Sequence, residues 1–207
     1  MLMEELKKEP VSAVLLLLNV LLFVIVEITG GNQNIDHMLT CGAAYTPYIL
    51  ESGEVYRLLF CMFLHFGMEH LLNNMLMLFV LGTRLERAVG KVRFFCIYIL
   101  GGIGGNLLSM FWESKTGEFA VSAGASGAVC ALLGAMICVI LKNRGRVEDL
   151  SLGQILVIAI CSLYFGFTSI GVNNAAHIGG ILTGLFLAAI LYHSGTDEHR
   201  FRHRECW

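Results

Sequence analysis

Two side chains that could act as nucleophile and base stand out because their surroundings are apolar. Ser126 lies in Gly124-Ala125-Ser126-Gly127, at the mouth of an apolar run from Ala128 to Leu141. His177 lies in a second apolar run, with no further charged or imidazole side chain until His193. A serine hydroxyl is a weak nucleophile until a neighbouring base takes its proton. Histidine is the usual base because its pKa sits near neutrality. No Asp or Glu falls close to His177 in the sequence, so the pattern points to a Ser126–His177 dyad rather than a triad. His70 and Asn74, in HLLNNMLMLFVLG, are four residues apart and share a helix face. Acyl transfer requires donors aimed at the developing oxyanion; His70, Asn74 and the Ser126 N–H would supply them. Each of the four alone also fits packing or an interhelical hydrogen bond. Together, on three helices and at a common depth, they form one site.

The elements that must position them are membrane helices. Of 207 residues, 56% are hydrophobic and 14% charged, and the mean hydropathy is +0.70. A soluble domain carries about 25% charged residues. A spanning helix needs roughly 20 mostly apolar residues, and six stretches qualify as candidates: Val11–Thr29, His70–Thr83, Val92–Trp112, Ser126–Leu141, Leu152–Ile170 and Asn174–His193. The fold class expected is an all-α, six-helix transmembrane bundle. With six spans, both termini share one side, together with 12 of the 14 basic residues; only Arg57 and Lys115 fall opposite. The positive-inside rule makes that side cytoplasmic. Residues 1–10 read as a short cytoplasmic leader, 11–193 as the membrane domain and 194–207 as a polar, basic tail. The seven cysteines show no CxxC spacing, so no metal site, cofactor or disulfide framework is indicated. No nucleic-acid partner is expected.

The segment from Gly30 to Glu69 is too long for an ordinary connection and should be structured. Its apolar run Leu58–Leu64 is too short to span, and reads as a re-entrant stretch embedded beside the bundle. GTRLERAVGKVR reads as a basic turn, with Glu86 solvated and paired to Arg84 or Arg87. Gly101, Gly102, Gly104 and Gly105 let another backbone come close. The helix opening at Ser126 has sixteen residues, about 24 Å against a hydrocarbon core of about 30 Å. With its far end pinned by Lys142 and Arg144, its start stops short of the outer surface. Irregular backbone at that depth is tolerated only in protein or beside water, which puts Ser126 on the floor of an aqueous dent. Asn174 reads as the cap of the last helix. His177, Gly180 and Gly184 share one face of it, and Gly127, Ala131 and Gly134 form a matching small-residue stripe on the Ser126 helix. Packing of the two stripes would bring His177 to Ser126. Gly166 and Gly171, with Phe165 and Phe167, make a loop that could hinge.

These residues resemble the rhomboid intramembrane serine proteases over roughly Tyr56 to Leu187, in the basic six-span bacterial-type form. G-x-S-G matches Gly124 to Gly127, A-H-x-x-G-x-x-x-G matches Ala176 to Gly184, and H-x-x-x-N matches His70 and Asn74, preceded by Phe63-Leu64-His65. The loop motif, usually Trp-Arg, appears as Tyr56-Arg57. The resemblance implies Ser126 as nucleophile and His177 as base. It implies an oxyanion hole of His70, Asn74 and the Ser126 N–H, with Asn174, Gly124, Gly127, Gly180 and Gly184 in support. It also implies a membrane-embedded first loop, a gate at Phe165 and Phe167, and single-span membrane proteins as substrates, cut near their outer end after a small residue. Cys130 departs from the family, in which an aromatic residue one turn after the nucleophile commonly stacks on the histidine. Two other classes are compatible with a membrane bundle: a non-catalytic binder of membrane helices, as inactive members of the family are, and a small-solute transporter. The dyad speaks against the first, and the lack of an internal repeat against the second.

Overall fold

The computed structural model describes residues 8–168 and 172–193, with only the backbone for 165–168. Helices occupy all six apolar stretches. Among the described residues three are long and apolar enough to cross a membrane: α1 (Pro10–Gly30), α7 (Lys91–Thr116) and α10 (Asn174–Leu191). Two apolar helices are shorter, α8 (Ser126–Lys142) and α9 (Leu152–Thr168). The remaining stretch is α5 (Met68–Met77), a π-helical turn (Leu78–Gly82) and α6 (Thr83–Val89) in one run. Small helices α2 (Ile35–Thr40), α3 (Thr46–Glu51) and α4 (Arg57–Phe60) fold the long connection after α1. A two-residue antiparallel pair, β1 (Arg146–Val147) and β2 (Leu150–Ser151), joins α8 to α9.

α8 is the centre of the bundle. All of its residues except Ser126, Ile137, Leu141 and Lys142 are buried, so it has no lipid face. α7 and α10 pack on it and on each other, around Phe94, Ile97, Tyr98, Leu132, Leu133 and Met136. Glycine makes this close packing possible. A Cβ on Gly180 would overlap the Gly127 carbonyl, one on Gly184 the Ala131 carbonyl, and one on Gly134 the Ile181 carbonyl. In α7, a Cβ on Gly105 would lie 2.6 Å from the Ala176 carbonyl oxygen. α1 stands at the edge, with Leu17, Leu21, Val24 and Ile28 exposed. An exposed apolar stripe of that length is what a lipid-facing helix presents.

Two sequence expectations change at the far end from Ser126. Thr83–Val89 is helix, not a turn; the chain turns at Gly90, whose φ of +86° suits glycine. Glu86 is not solvated. It is 1% exposed, and its carboxylate accepts from the Val11 and Ser12 N–H groups at 3.1 and 2.7 Å, capping the start of α1. The first turn of a helix has N–H groups without helical partners and favours an anion, and Pro10 leaves one fewer to satisfy. Arg84 and Arg87 pair elsewhere: Arg84 with Asp149 at 3.0 Å, Arg87 with Glu148 at 2.8 Å and Glu9 at 3.1 Å. The Arg84 hydrogen bond holds the Asp149 carboxyl below the usual carboxylate range. Lys142 donates to the Ala189 and Tyr192 carbonyls, both at 2.7 Å, closing the C-terminal end of α10.

Candidate active site

The loop that delivers Ser126 is pinned from three directions. Ser122 exchanges two backbone bonds with Ala44, at 2.8 and 2.9 Å, which ties it to the segment between α1 and α5. The Gly124 N–H donates to the Cys61 carbonyl at 2.9 Å. The Ala125 N–H donates to His65 Nε2 at 3.3 Å, and His65 is 1% exposed. Gly124 has φ of +142°, and a Cβ there would lie 2.6 Å from the His70 ring. Glycine at 124 therefore meets two needs, a left-handed backbone and room for an imidazole. α8 then starts at Ser126, and its first helical bond runs from the Val129 N–H to the Ala125 carbonyl at 2.9 Å. The N–H groups of Ser126, Gly127 and Ala128 precede that bond and have no i−4 acceptor in the helix.

His177 sits in the first turn of α10, 7% exposed, with Nδ1 buried and unpartnered among the described residues. The chain neighbours of the two candidate residues face each other: a Cβ added to Gly127 would just reach Ala176, 3.6 Å from its oxygen and 3.9 Å from its Cβ. Gly180, one turn below His177, faces Gly127, and its Cβ position is 3.2 Å from Cys130 Cβ. The side of His177's helix toward α8 is therefore occupied by Cys130, a small side chain. His70 opens α5 beside Gly124, its ring 5.2 Å from that of His65. Asn74, 6% exposed, donates to the His70 carbonyl at 2.9 Å. An asparagine amide carries two N–H bonds, so this contact leaves it one more.

Gly180 against Gly127 thus brings the first turns of α8 and α10, which carry Ser126 and His177, together at one end of the bundle, with His70 beside Gly124; Gly184 continues the seam one turn further. Asn174 differs from its expected place. It is the first helical residue of α10, and the cap is Asn173, whose side chain accepts from the Ala176 N–H at 3.0 Å. Phe165 and Phe167 lie in the C-terminal turns of α9, but their side chains are outside the described residues. Residues missed from sequence are Asn173 and His65. His65 precedes His70 by five positions and was visible only as a flank of the H-x-x-x-N pattern. Arg57 takes a structural place. It is 5% exposed, it donates to the Leu39 and Ala43 carbonyls at 2.6 and 2.9 Å, and it pairs with Glu54. The Tyr56 hydroxyl and Arg57 together hold the Glu54 carboxyl below its ordinary range.

Comparison with known proteins identifies the family. Residues 52–194 match the Rhomboid domain family. The chain is 40% identical over 174 residues to Rhomboid protease GluP of Bacillus subtilis (strain 168), covering 84% of this chain and 33% of that protein. It is 41% identical over 145 residues to RHOMBOID-like protein 5 of Arabidopsis thaliana, covering 69% and 46% of the two chains. It is 32% identical over 158 residues to Rhomboid protease AarA of Providencia stuartii, covering 66% and 56%. The aligned region spans only a third to somewhat over half of these relatives' lengths. This chain belongs to the rhomboid family and is a multi-pass membrane protein.

Proposed function

We propose that this protein is an intramembrane serine endopeptidase that cuts transmembrane segments of other membrane proteins near their outer end. Six spans carry the site, with the first long loop embedded beside them and both termini cytoplasmic. The Ser126 hydroxyl attacks the scissile carbonyl while His177 takes its proton. The tetrahedral oxyanion receives hydrogen bonds from the Ser126 N–H, His70 and the second Asn74 N–H. His177 then returns the proton to the leaving amine, and water attacks the acyl-enzyme by the same route in reverse. Single-span substrates with a small residue before the cleaved bond fit the family resemblance. The observation that supports this reading is the closeness of α8 and α10 where they carry the two residues: a Cβ on Gly180 would overlap the Gly127 carbonyl. Gly127 follows Ser126 and Gly180 lies one turn after His177, while His70 lies beside Gly124.

A serine-reactive fluorophosphonate tests it. Wild type should label and should cleave a single-span substrate in proteoliposomes. Ser126→Ala should do neither, and His177→Ala should lose about 10²-fold or more of the cleavage rate. Labelling that survives Ser126→Ala removes Ser126 from its role. A wild type that neither labels nor cleaves, yet binds membrane helices, moves the protein to the non-catalytic class.

A further inference from the structure

We infer that Asn173 is a positioning residue that sets the placement of His177 relative to Ser126; this rests on the dyad reading above. The small-residue seam fixes how closely α10 approaches α8. Small residues in contact do not by themselves fix where one helix sits along the other, because van der Waals contact is non-directional. A hydrogen bond is directional, and Asn173 supplies several at the end of the seam that carries the site. Its side-chain oxygen accepts from the Ala176 N–H at 3.0 Å. Its amide nitrogen donates to Ser109 Oγ of α7 at 2.6 Å and to Ser122 Oγ at 3.2 Å. Its backbone carbonyl accepts from the N–H of His177 itself at 3.2 Å.

One residue therefore holds three structures together: the first turn of α10 including His177, the outer end of α7, and the loop that reaches Ser126 four residues later. Each anchor is itself fixed. Ser109 is 5% exposed and lies 3.3 Å from Glu113 Oε1. Glu113 accepts from Thr46 at 2.7 Å. Ser122 is clamped to Ala44 by two backbone bonds. Both amide N–H bonds and the amide oxygen of Asn173 are used. Serine or aspartate would cap a helix as well as asparagine does, but neither carries two N–H donors.

The test separates the cap from the ties. Asn173→Ser keeps a capping oxygen and is too short to reach Ser109. Ser109→Ala removes the strongest tie and leaves the cap intact. Each should lower kcat and the fluorophosphonate labelling rate by about tenfold, since misplacing reacting groups by about 1 Å costs up to about 10²-fold. KM, measured by varying substrate mole fraction in proteoliposomes, should stay near wild type, and so should the thermal midpoint. The double variant should be no slower than the slower single, because both remove one link. Losses in kcat that follow the loss of folded protein, a change confined to KM, or rates equal to wild type would each overturn the role of Asn173. In those cases labelling of wild type but not Ser126→Ala leaves the dyad standing. A wild type that does not label overturns the dyad and this inference with it.

Discussion

Gly180→Ala is the sharpest test of how the fold builds the site. A methyl carbon at 180 would lie 3.1 Å from the Gly127 carbonyl carbon and 3.2 Å from Cys130 Cβ, and would overlap the Gly127 carbonyl oxygen. Carbon–carbon contacts are optimal at about 3.5–4.0 Å. The obstacle is the Gly127 carbonyl and the Cys130 Cβ, whose place the backbone fixes, so no rotamer change relieves it and the helices must separate by about 1 Å. That gap opens one turn from His177 and one residue from Ser126. A shift of this size costs about 10²-fold in rate, while overpacking costs about 1–3 kcal/mol of stability. The prediction is thus a large loss of cleavage and labelling in a protein that still folds. Two other glycines calibrate it. A Cβ on Gly102 would meet the end of Met62, with Sδ at 2.8 Å, a flexible side chain that can swing away, and would come within 3.0 Å of Ala128 Cβ, less close than Gly180 to the Gly127 carbonyl, so Gly102→Ala should lose less. Gly153 has nothing within 4 Å of its Cβ position. Gly153→Ala should leave cleavage unchanged and raise stability by about 0.4–1 kcal/mol, chiefly by restricting the unfolded chain. The assays are fluorophosphonate labelling kinetics and thermal unfolding in detergent. If Gly180→Ala cleaves as fast as wild type, or no slower than Gly102→Ala, the seam does not set the distance between Ser126 and His177.

Two further outcomes follow from single contacts. Glu86→Ala strands the Val11 and Ser12 N–H groups at the buried start of α1 and should cost about 2–3 kcal/mol, read as a lower thermal midpoint. Glu86→Gln keeps one accepting oxygen and should lose less; equal losses would refute the capping role. His65→Ala removes the acceptor of the Ala125 N–H and should slow labelling of Ser126 by about tenfold with little change in thermal midpoint. A stability loss without a rate loss would make His65 part of the core only.

What could be read from the sequence follows the range of the interactions. The Ser126 helix, the His177 helix and their small-residue stripes are local patterns with helical period, and each is legible within one segment. Their mutual contact was a short inference, because few residue types allow two backbones to meet. The capping details were not legible. Asn173 and Asn174 are adjacent and chemically identical. The choice between them depends on Ser109 and Ser122, which lie 64 and 51 residues away. Glu86 looked solvated because two arginines flank it in sequence. Its partners are 75 and 74 residues earlier, and the arginines are drawn to Glu9, Glu148 and Asp149. A flanking opposite charge in a polar stretch says little when a helix N-terminus lies within reach.

The same logic orders the parts of the site by how firmly they are held. α8 and α10 meet through backbone against backbone, which no side-chain motion can loosen. The loop carrying Gly124 and Ala125 is held by one hydrogen bond each to Cys61 and His65 and by the two-bond bridge of Ser122 to Ala44, all replaceable by water if the loop lifts. Cys130 fills the space beside Gly180 with a small side chain, so lateral support for the His177 ring from α8 is thin. The burden of orienting His177 therefore shifts from packing beneath the ring to the hydrogen bonds that fix its helix turn. On this argument a larger side chain at 130 and the Asn173 ties act on the same degree of freedom. Cys130→Tyr, if the helices accept its volume, should partly offset the kcat loss of Asn173→Ser. Strictly additive effects in that pair would refute the shared role.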